Sequence, residues 1–206
     1  MPFHQTSPLI ALLLAICATC ASAKPTDVES IARAFPDGGG YEWKGTGVPE
    51  DVRFAGKTIL EKAKHTYCSG FTFAVVMKAA TDRGLLKGRT PEQIRAFQKD
   101  WYGATKESGE TQCVYALEKL GIGRAVDPNK AKPGDFLQLW RTNKSGHSVV
   151  FLEWIKSAGQ PIGLKYRSSQ TSTGGIGDRT EYFADAPEKN GKVDPKRIYF
   201  CRLNAK

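Results

Sequence analysis

The feature that most constrains the fold is the run "SGFTFAVVMKAA" at residues 69–80. Phe71, Phe73, Val75, Val76, Met77, Ala79 and Ala80 place apolar groups nearly all round a helix, not along one stripe. Such a helix is stable only when other elements cover it on every side. The pattern predicts a central helix starting at Cys68, and the chain offers cover for it. Thr90-Pro91-Glu92-Gln93 is a helix start, with Thr as N-cap, Pro in the first turn and Gln as capping-box partner. Ile94, Phe97 and Trp101 follow at helical spacing, and residues 111–120 read as a further helix stopped by Gly121. Strands are expected over 136–140 after the turn Pro133-Gly134-Asp135, from His147 through "HSVVFLEWI", from 162 to about 170, and in the terminal "KRIYFCRL". Short connections between them predict an antiparallel meander. The expected class is α+β: N-terminal helices, with a central Cys-bearing helix packed on an antiparallel sheet.

Upstream, residues 9–20 form an apolar run, and Ala21-Ser22-Ala23 fits a small-residue cleavage site. The run is too short to span a bilayer stably, and polar sequence follows Lys24. A secretory signal peptide over 1–23 is expected, with a secreted or periplasmic mature chain and no transmembrane segment after processing. The leader departs from the usual pattern in carrying His4 but no Lys or Arg at its start. A lipid-anchored variant is disfavoured by the bulky Ile16 before Cys17. Taking 23 residues from 206 leaves 183, which suits one domain with a real core. Within it, 24–66 reads as an N-terminal extension and 67–206 as the core. The formal charge of +9 lies wholly outside the leader and favours peptidoglycan or another anionic envelope polymer as partner. Lysines and arginines are scattered without a nucleic-acid motif, so no nucleic-acid partner is expected. No P-loop, dinucleotide fingerprint or zinc-spaced ligand cluster occurs, so neither cofactor nor metal is expected. A monomer is expected.

Past the leader the chain has three cysteines, Cys68, Cys113 and Cys201. In an oxidising compartment an odd count leaves at least one thiol unpaired in a monomer. Cys113, on a helical pattern, and Cys201, on a terminal strand pattern, are the expected disulfide partners, which leaves Cys68 free. Cys68 stands where the positive end of the helix dipole and unpaired N–H groups stabilise a thiolate. Ser69 and Gly70 are expected to keep its approach uncrowded. Histidine is scarce: only His65 and His147 lie past the leader. His65 falls in a polar lead-in and is expected to be exposed. His147 opens a strand and, by period two, shares a face with Val149 and Phe151. If that face packs on the Cys68 helix, the imidazole meets the helix N-terminus.

"YCSGFTFAVV", "KPGDFLQLW" and "GHSVVFLEW", in this order, resemble the NlpC/P60 family of papain-like cysteine peptidases, over about residues 67–170. The resemblance implies a papain-like NlpC/P60 fold, a secreted or periplasmic setting and cleavage of peptide bonds in peptidoglycan stems. It makes Cys68 the nucleophile and His147 its base. Tyr67, Ser69 and Gly70 become candidate substrate-binding residues. The family often carries an aspartate where this chain has Tyr67, so its usual substrate does not simply carry over. Its third polar residue comes from the strand after the histidine strand. In "KYRSSQ", alternation puts Leu164, Tyr166, Ser168 and Gln170 on one face. Gln170 is the natural candidate to orient the imidazole, with Ser168 as its rival. The implied chemistry is acyl transfer by a secreted cysteine hydrolase, an endopeptidase or amidase. A transacylase or a catalytically silent envelope-binding module on the same fold stays open. The Gly-rich "DGGGYEWKGTGVPEDV" before the core either shapes the substrate site or packs as a surface loop.

Overall fold

The computed structural model describes Met1, residues 27–187 and residues 189–205. The expected leader and its cleavage site lie outside the described residues. The chain is α+β. Four helices are described: α1 (Val28–Ala34), α2 (Cys68–Asp82), α3 (Pro91–Trp101) and α4 (Gln112–Leu120). The strands are β1 (Gly38–Gly39), β2 (Val52–Phe54), β3 (Lys57–Leu60), β4 (Gly123–Val126), β5 (Phe136–Arg141), β6 (Gly146–Ser157), β7 (Gln160–Gln170), β8 (Gly175–Tyr182) and β9 (Val193–Leu203). Seven of them form one antiparallel sheet in the order β1-β8-β7-β6-β5-β9-β4. β2 and β3 pair separately as a hairpin. No helix among the described residues is long and apolar enough to cross a membrane.

Helix α2 is covered on all sides, as its composition requires: between residues 69 and 80 only Lys78 is exposed. Phe71, Phe73, Val75 and Val76 join Ile31 of α1, Ile94, Phe97 and Trp101 of α3, and Phe136 and Val150 of the sheet in one core. Truncating an aromatic in such a core costs ~3–5 kcal/mol. The Trp101 indole N–H donates to Thr72 Oγ1 at 3.1 Å, and Thr72 Oγ1 donates to the Cys68 carbonyl at 3.0 Å. This chain of hydrogen bonds locks α3 onto the first turn of α2. Helix α3 begins with the capping box that its sequence announces, Thr90 with Gln93. Helix α4 ends at Gly121, whose φ of 72° a side chain would resist.

The opposite face of the sheet carries a second core, with Leu137, Leu139, Val149, Phe151, Leu164, Tyr166, Val193 and Phe200. The meander β5–β8 was expected except for its last member. β8 begins inside what reads as a glycine-rich turn, "TSTGGIG", because only residues 171–174 are needed to reverse the chain. The Pro133-Gly134-Asp135 turn has a clear physical basis. The buried Asp135 carboxylate accepts the Lys132 N–H at 2.8 Å and both forks of Arg202 on β9, at 2.6 and 2.8 Å.

The segment before α2 is woven into the same unit. Arg167 of β7 is buried and donates to the open end of α1, to the Ala32 carbonyl at 3.0 Å and the Phe35 carbonyl at 2.8 Å. It also pairs with Asp37 at 2.6 Å and Asp178 at 3.0 Å. A buried guanidinium therefore does the work of a helix C-cap. It anchors the start of the strap formed by residues 36–48. β1 then adds the strap to the sheet edge beside β8.

Candidate active site

Cys68 is the first residue of α2, preceded by Tyr67 in extended conformation with no side-chain cap. The first N–H groups of a helix have no partner within it, so the thiol sits at the positive end of the dipole. The residue is half-buried. Burial, the largest influence, pushes the thiol pKa up. The neighbouring His147 imidazole, the Ser148 N–H and the Ser69 hydroxyl outweigh it together and bring the thiol to about 7, against an ordinary 9.0.

His147 is buried at the second position of β6. Its Nε2 lies 3.2 Å from Gln170 Oε1. The amide orientation follows from its other end, where Gln170 Nε2 donates to Thr173 Oγ1 at 2.6 Å and to the Gly177 carbonyl at 3.3 Å. A carbonyl only accepts, so the nitrogen belongs there and the oxygen faces the ring. That oxygen also only accepts, so His147 Nε2 carries the hydrogen. Nδ1 is left as the ring atom available to the thiol. The rival, Ser168, is buried with its hydroxyl donated to the Ser148 carbonyl at 2.7 Å. Of the four polar candidates, Cys68, His147 and Gln170 come together and Ser168 is occupied elsewhere. His65 pairs with Glu42, Nδ1 to Oε2 at 3.1 Å, and is half-exposed.

Four expectations need correction. First, the face shared by His147, Val149 and Phe151 packs in the second core, away from α2, whose core takes Val150 instead. The imidazole lies edge-on to Tyr166 of that second core, ring centroids 5.5 Å apart. Thiol and imidazole meet because each stands at the start of its element, not because the sheet face covers the helix. Second, Cys113 and Cys201 are buried free thiols. Cys113 Sγ faces Gln138 Oε1 at 3.9 Å and Ser148 Oγ at 3.7 Å, so its direction is set by a polar pair that bridges β5 and β6. Third, Gly70 does not open an approach to the thiol. The strap fills the space, and a Cβ on Gly70 would lie 2.2 Å from the Gly47 carbonyl carbon. Fourth, Tyr67 is buried under the same strap, with its hydroxyl donated to the Gly45 carbonyl at 3.1 Å and its N–H to the Gly47 carbonyl at 3.3 Å. Ser69 is buried too, its Oγ 3.9 Å from Cys68 Sγ. Of the three residues expected to bind substrate, Tyr67 and Gly70 therefore support the strap.

Several site residues gave no signal in the sequence. Tyr102, after α3, donates to the Thr46 carbonyl at 2.6 Å and stacks edge-on with Tyr67 at 5.8 Å. Burial and then the Cys68 charge raise the Tyr67 phenol to about 12. Tyr41 on the strap is raised the same way, while Arg141 pulls it down. These phenols stay protonated beside the thiolate. Behind the imidazole, the Tyr166 hydroxyl donates to Glu181, which Arg141 holds with two bonds of 2.5 and 2.7 Å. Burial raises the Glu181 carboxyl, but Arg141 and Tyr166 bring it to about 2. This buried ionic cluster fixes Tyr166, the ring against which His147 rests.

No family model, curated protein or solved structure matches the chain.

Proposed function

We propose that the protein is a papain-like cysteine hydrolase of NlpC/P60 type, an endopeptidase or amidase directed at peptidoglycan. The observation that carries this reading is the line Cys68–His147–Gln170, with the thiol at about 7 and the imidazole tautomer set by the Gln170 oxygen. A thiol at that value is half thiolate near neutrality, where a nucleophile needs to be.

In the proposed reaction the Cys68 thiolate attacks the carbonyl carbon of an amide bond. The tetrahedral oxyanion forms at the open N–H groups of the first turn of α2, Cys68 among them. The His147 imidazolium donates its Nδ1 proton to the departing amine, and the C–N bond breaks to leave a thioester on Cys68. His147, now neutral, takes a proton from water as the water attacks the thioester. The acid is released and the thiolate–imidazolium pair returns. Gln170 holds the ring throughout by accepting from Nε2. The net charge of +9 supports an anionic polymer as the larger substrate.

Digestion of purified peptidoglycan by wild type and Cys68→Ala, followed by mass spectrometry, tests the reading. Wild type is expected to release stem-peptide fragments that the variant does not. Intact polymer after wild-type digestion, or equal fragments from both proteins, refutes it.

A further inference from the structure

Trp43 is 80 % exposed, while Trp101 is fully buried and Trp140 and Trp154 are partly covered. Exposure of one side chain is ordinary; what sets this indole apart is how it is held. Trp43 lies at the apex of a tight turn closed by the Lys44 N–H on the Glu42 carbonyl at 2.9 Å. The backbone just before it is tied to the lead-in of α2, Glu42 N–H to the Thr66 carbonyl at 3.1 Å and Thr66 N–H to the Gly40 carbonyl at 3.1 Å. The indole is therefore presented from a fixed base. Polar groups flank it on both sides: Glu42 pairs with Lys44 at 2.8 Å and with His65 at 3.1 Å.

The platform stands beside the first turn of α2: the Thr66 carbonyl that holds Glu42 is two residues before Cys68, and the strap beyond Trp43 caps Tyr67, Gly70 and Tyr102. The chemistry narrows the ligand. An apolar peptide side chain binds in an enclosed pocket. The Trp43 indole, mostly in water, offers an open face and not an enclosed pocket. A flat, open indole with a rim of hydrogen-bonding charges instead matches a pyranose ring, which has one face of C–H groups and an edge of hydroxyl and amide groups.

We propose that Trp43 is the stacking platform of a sugar subsite, taking an N-acetylhexosamine ring of the glycan that carries the peptide substrate. This deepens the proposed function and rests on it for the identity of the polymer. It also gives the strap a role: the segment that covers Gly70 presents the polymer backbone while Cys68 meets the peptide branch.

Calorimetric titration of Cys68→Ala protein with chitotetraose, an oligomer of N-acetylglucosamine, tests the subsite without turnover. Saturable binding is expected. Adding Trp43→Ala should weaken it by about tenfold or more, and Trp43→Tyr should stay within about threefold. The exposed side chain can be removed without disturbing the core, so misfolding does not cloud the result. No binding of chitotetraose, or equal binding by Trp43→Ala, overturns the proposal. Because no bond is cleaved in this assay, binding that passes while peptidoglycan stays uncut leaves the subsite standing and removes the hydrolase. Lost binding with digestion intact removes the subsite alone.

Discussion

Replacing His147 with alanine is the most direct perturbation of the proposed site. In the wild type, burial pushes the Cys68 thiol up, and His147 supplies the two largest opposing influences. The outcome, about 7 against 9.0, is a roughly hundredfold gain in acidity, or ~3 kcal/mol in favour of the thiolate. Without the imidazole, the Ser148 N–H, the Ser69 hydroxyl and the helix end are left to oppose burial, and the midpoint should rise to about 9. At pH 7 the thiolate fraction then falls from about one half to ~1 %. Alkylation slows by less, because a more basic thiolate is intrinsically more reactive. With a Brønsted slope of about 0.45 that gain is roughly eightfold, so the net loss at pH 7 is only about sixfold. The titration midpoint is therefore the sharper readout. Thiolate absorbance and iodoacetamide rate are measured against pH, in proteins where Cys113 and Cys201 are buried and slow to react. Gln170→Ala should move the midpoint less, since it removes only the ring's positioning partner. A wild-type midpoint near 9, or one unmoved by His147→Ala, refutes the coupling and with it the catalytic reading.

Three further outcomes are expected. Gly70→Ala drives a Cβ into the backbone of Gly47, so the strap must shift; chemical denaturation should show a loss of ~1–3 kcal/mol, and proteolysis should begin within residues 36–48. Glu181 is held at about 2, so its contribution is full above the ordinary carboxylate value of 4.5 and is lost as pH falls through 2. Stability measured across that window should drop by on the order of 3 kcal/mol in wild type, and Glu181→Gln should be less stable at neutral pH and lack this part of the pH dependence. Peptide mapping without reductant should recover Cys68, Cys113 and Cys201 all as thiols, and a Cys113–Cys201 bridge would contradict the packing of Cys113 against Gln138 and Ser148.

Much of the architecture was already determined by the sequence, because it rests on local rules. The all-round apolar run at 69–80 had to be a covered helix, Thr90 to Gln93 could cap only a helix start, and Gly121 marked a helix end. Alternation in "KYRSSQ" put Gln170 on the face that carries Tyr166, and β6 takes that same side for His147. Contacts between segments far apart in the chain obey no such rule. Arg167 looks like any strand arginine until the open carbonyls of α1, 132 and 135 residues away, arrive beside it. The glycine at position 70 reads as an open approach, and only the fold shows that the backbone of residue 47 fills it. Period two assigned His147 to a sheet face, yet could not say which core that face enters. Even so, the imidazole reaches Cys68, because helix and strand begin at the same end of the molecule. Side-chain periodicity is a property of one element at a time. Which element ends meet, and which glycine makes room for which backbone, depends on how the elements pack, and that was decided by the tertiary structure.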